Sequence, residues 1–122
     1  MAYQQKLADR IREKLADLPL IEEKVMFRGL CFMVNGKMCI SVGKEEIMCR
    51  IDPDKYEQAI EMEGCRPMIH AGKTIRGFVF VDQGVLQTDK RLGFWIDLCL
   101  EYNERAKPSK AKVKNNAKKR KI

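Results

Sequence analysis

The chain is poor in the residues that most small catalytic sites are built from. Among 122 residues there is one histidine, His70, and one tryptophan, Trp95. No Cys-x-x-Cys pair, His-Glu-x-x-His, Gly-x-Ser-x-Gly or Gly-x-Gly-x-x-Gly occurs, so the sequence carries no zinc-ribbon, metalloprotease, hydrolase-elbow or dinucleotide signature. No apolar run approaches the roughly 18 residues that span a bilayer, which argues against a membrane protein. The N-terminus, MAYQQKLADR, has no basic stretch leading into an apolar one, and so does not read as a secretory signal. A length of 122 residues is that of one domain, and 45% hydrophobic with 34% charged residues is ordinary for a globular chain.

The five cysteines, Cys31, Cys39, Cys49, Cys65 and Cys99, are odd in number and mostly embedded in apolar runs. That pattern argues against a disulfide framework and fits small buried hydrophobes in a reducing cytoplasm.

Charge is unevenly placed. The net charge is +7, yet residues 106–122 hold seven Lys and one Arg and no acid, leaving 16 basic against 17 acidic residues in 1–105. The body, 1–105, is therefore nearly neutral. Pro108 and the lack of apolar periodicity mark 106–122 as a disordered basic tail. Lys107, Lys110, Lys112, Lys114, Lys118, Lys119, Arg120 and Lys121 are its candidate nucleic-acid contacts. They could give weak, salt-sensitive, sequence-blind binding to phosphates. A tail that only aids solubility is the alternative; no membrane partner is expected.

Residues 3–18 read as an amphipathic helix with Leu7, Ile11, Leu15 and Leu18 on one face and Pro19 as its stop. A strand over 25–34 meets Asn35-Gly36, the strongest short hairpin signal, and a second strand over 37–43. A third strand covers 46–52. Asp52-Pro53 is a helix start, and Gly64 its stop. Strands over 67–71 and 75–82 flank a turn at Ala71-Gly72-Lys73. Thr88 or Asp89 caps a last helix to about Arg105, with Leu92, Trp95, Ile96, Cys99 and Tyr102 as its apolar stripe. The order is α-β-β-β-α-β-β-α. The class is α+β, with two layers and helices on one side of one antiparallel sheet.

Strict alternation from the Asn-Gly turn pairs Val34 with Lys37, Met33 with Met38 and Phe32 with Cys39. It groups Gly29, Cys31, Met33, Met38, Ile40 and Val42 on one face, which has no polar residue and is therefore assigned to the core. The opposite face then carries Arg28, Leu30, Phe32, Val34, Met48 and Arg50. This mixture is too apolar for a solvated sheet face. These six residues are the candidate interface, for a protein partner or a second copy; coverage by another part of the chain is the alternative.

No catalytic residue, metal ligand or cofactor site is assigned. A Cys65–His70 pair, five residues apart, is the one rival suggestion of a small enzyme or nucleic-acid-modification accessory. Ala71-Gly72-Lys73-Thr74 resembles the end of a phosphate loop, but Pro67 stands where that pattern needs Gly.

With these residues laid out, the chain resembles the N-terminal domain of the TfoX/Sxy family. The resemblance rests on Met26-Phe27-Arg28-Gly29-Leu30, Phe32-Met33-Val34-Asn35-Gly36-Lys37-Met38, Arg66-Pro67-Met68, Gly72-Lys73, Gly77-Phe78-Val79-Phe80-Val81 and Trp95, and covers about residues 3–105. It implies a two-layer fold with an antiparallel sheet, related in shape to secretion chaperones. It implies a non-catalytic regulator of competence genes, acting with the cyclic-AMP receptor protein. A chaperone-like peptide-binding module is a third reading. Family members carry a second, helical domain after this one; here the basic tail follows. Arg28 also stands where many similar sequences have Gly.

Overall fold

A computed structural model describes residues 3–26 and 29–106. Helix α1 spans Gln5–Lys14 and is capped by the Gln4 side chain, which accepts from the Lys6 N–H. Strands β1 (Ile21–Met26), β2 (Gly29–Val34), β3 (Lys37–Val42) and β4 (Glu46–Arg50) follow. Helix α2 (Tyr56–Ile60) leads to β5 (Cys65–His70), β6 (Lys73–Asp82) and helix α3 (Asp89–Asn103). All six strands join one antiparallel sheet in the order β1-β2-β3-β4-β6-β5. The α+β class with one antiparallel sheet is what the sequence led us to expect.

Local chemistry explains most of these boundaries. Asn35 and Gly36 have φ of 56° and 77°, the left-handed pair that a two-residue hairpin turn requires. The Asp52 carboxylate accepts from the Asp54 N–H and opens a single 3-10 turn before α2. Thr88 is the cap of α3, its hydroxyl accepting from the Arg91 N–H at 3.2 Å.

One strand was not expected. The run 25–34 is not continuous: β1 and β2 are separate and pair antiparallel, with Met26 opposite Gly29. The sheet therefore has a sixth strand at its edge. Gly29 is required by close approach, since a Cβ there would lie 2.1 Å from the Val42 carbonyl oxygen.

The core fills the space between the sheet and its helices. Leu7, Ala8 and Ile11 of α1, Leu15 just after it, and Leu92, Trp95, Ile96 and Cys99 of α3 pack on Leu30, Phe32, Val34, Val42, Ile47, Val79 and Val81. Asn103 locks the far end of α3 to the hairpin: its Nδ2 donates to the Val34 carbonyl at 3.1 Å, and its Oδ1 accepts from Asn35 Nδ2 at 3.2 Å. Among the described residues every buried side-chain nitrogen and oxygen has a hydrogen-bond partner.

The expected face assignment is therefore reversed in β2. Leu30, Phe32 and Val34 point to the helices, and Cys31 and Met33 point away. In β3 a β-bulge separates Ile40 and Val42 from the face that Met38 shares with Met33. Val34 does face Lys37 and Met33 does face Met38, but Phe32 pairs with Ile40 rather than Cys39. The extra residue breaks strict alternation. Cys39 and Ile40 then both lie on the helix side, and Met38 lies on the other.

Candidate functional site

The outer face of the sheet is built row by row across the strands. One row runs Lys24, Cys31, Ser41, Met48, Phe80, Arg66, each opposite the next. Beside it, Glu22 faces Met33 and Met33 faces Met38, while Arg50 faces Phe78. Cys31, Met33, Met38 and Met48 are buried, and Met26, Met68, Phe78 and Phe80 pack around them half-buried. Five of the seven methionines thus share one face.

Two arginines hold its aromatic rim. The Arg50 guanidinium lies 5.9 Å from the Phe78 ring centroid and 5.8 Å from that of Tyr102, and donates to the Met38 carbonyl. The Arg66 guanidinium lies 5.6 Å from the Phe80 ring and pairs with Asp82 at 2.7 Å. Such stacked cations reconcile charge with an apolar surface. A cavity of about 160 Å³ opens between Ser41, Gly43, Glu46, Met48, Met68 and Phe80.

Thiol chemistry differs between the two sides of the sheet. On the outer side the Cys31 thiol donates to Met33 Sδ at 3.7 Å, and burial pushes it up to about 11. On the helix side Cys39, Cys49 and Cys99 converge from β3, β4 and α3. A hydrogen bond with Cys99 followed by burial holds Cys39 far above the usual thiol range, and burial does the same to Cys99. All five cysteines are free thiols. Cys39 and Cys99, held protonated within the aliphatic core, are unreactive.

Of the six expected interface residues, only Met48 and Arg50 lie on the outer face. Leu30, Phe32 and Val34 are core, covered by the helices. Arg28 and the tail cations Lys107, Lys110, Lys112, Lys114, Lys118, Lys119, Arg120 and Lys121 lie outside the described residues. Cys65 and His70 stand at opposite ends of β5, opposite Val81 and Lys73 respectively. At about 3.3 Å per residue they are about 16 Å apart, too far to act together. Ala71-Gly72 is the β5–β6 turn, with φ of 54° and 77°.

Cys31, Met33, Met38, Phe78 and Phe80 belong to the outer face but were not read as such. The available signal was the density of methionine between 26 and 68.

The match to known families follows the same elements. A family model for the TfoX N-terminal domain covers residues 13–102, from the end of α1 to the last turn of α3. This chain belongs to the TfoX N-terminal domain family. The matched span contains the whole sheet, so the family relation is carried by the hairpin, the sheet and α3 together. No curated protein and no solved structure matches the chain. In this TfoX-family chain no described helix is long and apolar enough to cross a membrane. Among its described residues no group of three His, Cys, Asp or Glu side chains is arranged to hold a metal ion.

Proposed function

We propose that this chain is a non-catalytic regulatory or adaptor domain of the TfoX type. It acts in the cytoplasm, binds a protein partner through the outer face of its sheet, and touches nucleic acid through its basic tail. The observation that carries this reading is the family match over residues 13–102, a family named for a competence regulator.

Three features support the details. Both sheet edges are guarded against strand addition, β1 by Glu22, Glu23 and Lys24 and β5 by Pro67. A partner is thereby directed to a face rather than an edge. The outer face offers half-buried Met26, Met68, Phe78 and Phe80, and methionine surfaces adapt to varied partners. Eight cations without an acid between 107 and 121 suit phosphate contact.

The test uses the full chain and a full-length variant with the eight tail cations replaced by Gln. DNA binding is followed by fluorescence anisotropy across a salt series. The parent should lose affinity with salt, with a log–log slope no steeper than about −7 for eight contacts. The variant should bind at least tenfold more weakly; undiminished binding overturns the tail's role. Phe80→Glu should leave DNA binding intact and abolish self-association in sedimentation velocity, or the capture of a partner that the parent chain retains. Unchanged association in both assays overturns the sheet-face role.

A further inference from the structure

The outer face concentrates soft donors where packing alone needs only apolar volume. Cys31 does not stand alone there: Met33, Met38 and Met48 are buried with it, and Met26 and Met68 adjoin them. The Cys31 thiol already points at Met33 Sδ, 3.7 Å away. Met38 is the cross-strand partner of Met33, and Met48 lies beyond Ser41 in the row through Cys31. The donors thus come from three adjacent strands, which fixes them relative to one another.

We propose that Cys31 and Met33, completed by Met38 or Met48, form a binding site for a soft monovalent metal ion, Cu(I) or Ag(I). Thiolate and thioether ligands select such ions, whereas hard cations need the oxygen donors this cluster lacks. A metal–sulfur bond of about 2.3 Å in a trigonal plane separates the sulfurs by about 4 Å, close to the observed 3.7 Å. Binding replaces one proton: the Cys31 S–H bond breaks, an S–metal bond forms, and H⁺ is released with no change of oxidation state. The thioethers remain neutral, so the ion and the thiolate cancel in charge within an apolar surface. That cancellation offsets the cost of ionising a thiol that burial holds at about 11. Cys39, Cys49 and Cys99, on the helix side, sit instead within the aliphatic core. This site is independent of the partner reading and stands or falls apart from it.

The test is methyl NMR of the full chain labelled at methionine methyl carbons, with Ag(I) added to one equivalent in the absence of thiol reductant. Met38 and Met48 adjoin Cys39 and Cys49 in the chain, so the Met33 methyl is the deciding readout for capture at this cluster. The Met33 methyl and that of Met38 or Met48 should move, and the exposed Met62 should not. Cys31→Ser should weaken the effect by about tenfold or more. Met33→Leu preserves volume and should weaken it comparably while the fold persists, guarding against a Cys31→Ser chain that fails to fold. An unmoved Met33 methyl at one equivalent, or shifts that survive both variants, overturn the proposal.

Discussion

The two faces of one sheet are made of different material. The helix side presents Leu30, Phe32, Val34, Val42, Ile47, Val79 and Val81, branched or aromatic side chains with few rotamers. The outer side presents Cys31, Met33, Met38 and Met48 inside a rim of Met26, Met68, Phe78 and Phe80. Stiff side chains suit a surface whose partner, the helix layer, is always in place. Unbranched thioethers suit one that must pack well alone and still accept something else. On the proposed partner reading, side-chain stiffness rather than burial separates the structural face from the recognition face.

The comparison breaks most readily at Phe32. Phe32→Ala opens a cavity in the fully buried centre of the helix side and should cost about 3–5 kcal/mol in denaturant unfolding. Met48→Leu, its counterpart on the outer face, should cost less than about 1.5 kcal/mol, since that exchange conserves volume. Equal losses would show that both faces are packed to the same tolerance.

A smaller effect should follow at the junction of α3 and the hairpin. Asn103→Ala leaves the Val34 carbonyl and the Asn35 amide without their partner, at a cost of about 1–3 kcal/mol by thermal or chemical unfolding. Hydrogen exchange should accelerate at the β2–β3 turn more than along the Met48 row. Uniform acceleration would show that α3 holds both faces as one cooperative unit.

The smallest effect belongs to the charged rim of the helix side. Arg12 grips Glu23 with two hydrogen bonds, at 2.6 and 2.8 Å, and these hold the Glu23 carboxyl below the usual carboxylate range. A depressed carboxyl contributes stability above its unfolded pKa and loses it as pH falls through its folded one. The pair is partly exposed, so the contribution is about 0.5 kcal/mol after screening. Stability should therefore fall more steeply below about pH 5 in the parent than in Glu23→Gln. Parallel pH profiles for the two would remove this contribution.

Much of the fold was legible because its signals are local. Asn35-Gly36 specifies a turn through two positive φ angles, Thr88 satisfies an orphan amide of α3, and the stripe Leu92, Trp95, Ile96, Cys99 is buried as read; Tyr102, at its end, is half-buried. β1 escaped notice because Glu22, Glu23 and Lys24 interrupt its apolar pattern, as befits a guarded edge. The candidate site was legible only at Met48 and Arg50, which lie on β4, beyond the bulged pairing of β2 with β3.

The sequence by itself determined that three helices form, the Asn-Gly hairpin, the α+β class and the uneven placement of charge between 1–105 and 106–122, although α1 ends at Lys14 rather than at Pro19. Each depends on neighbours within a few residues, or on counting charge. Only the tertiary structure decided which side of the sheet the hairpin shows to the helices. How the faces of β2 and β3 relate turns on one unpaired residue in β3, and a bulge is a property of two strands meeting rather than of either strand alone. The gathering of five methionines and Cys31 on one face is likewise a matter of register, because it places side by side residues up to 42 positions apart in the chain.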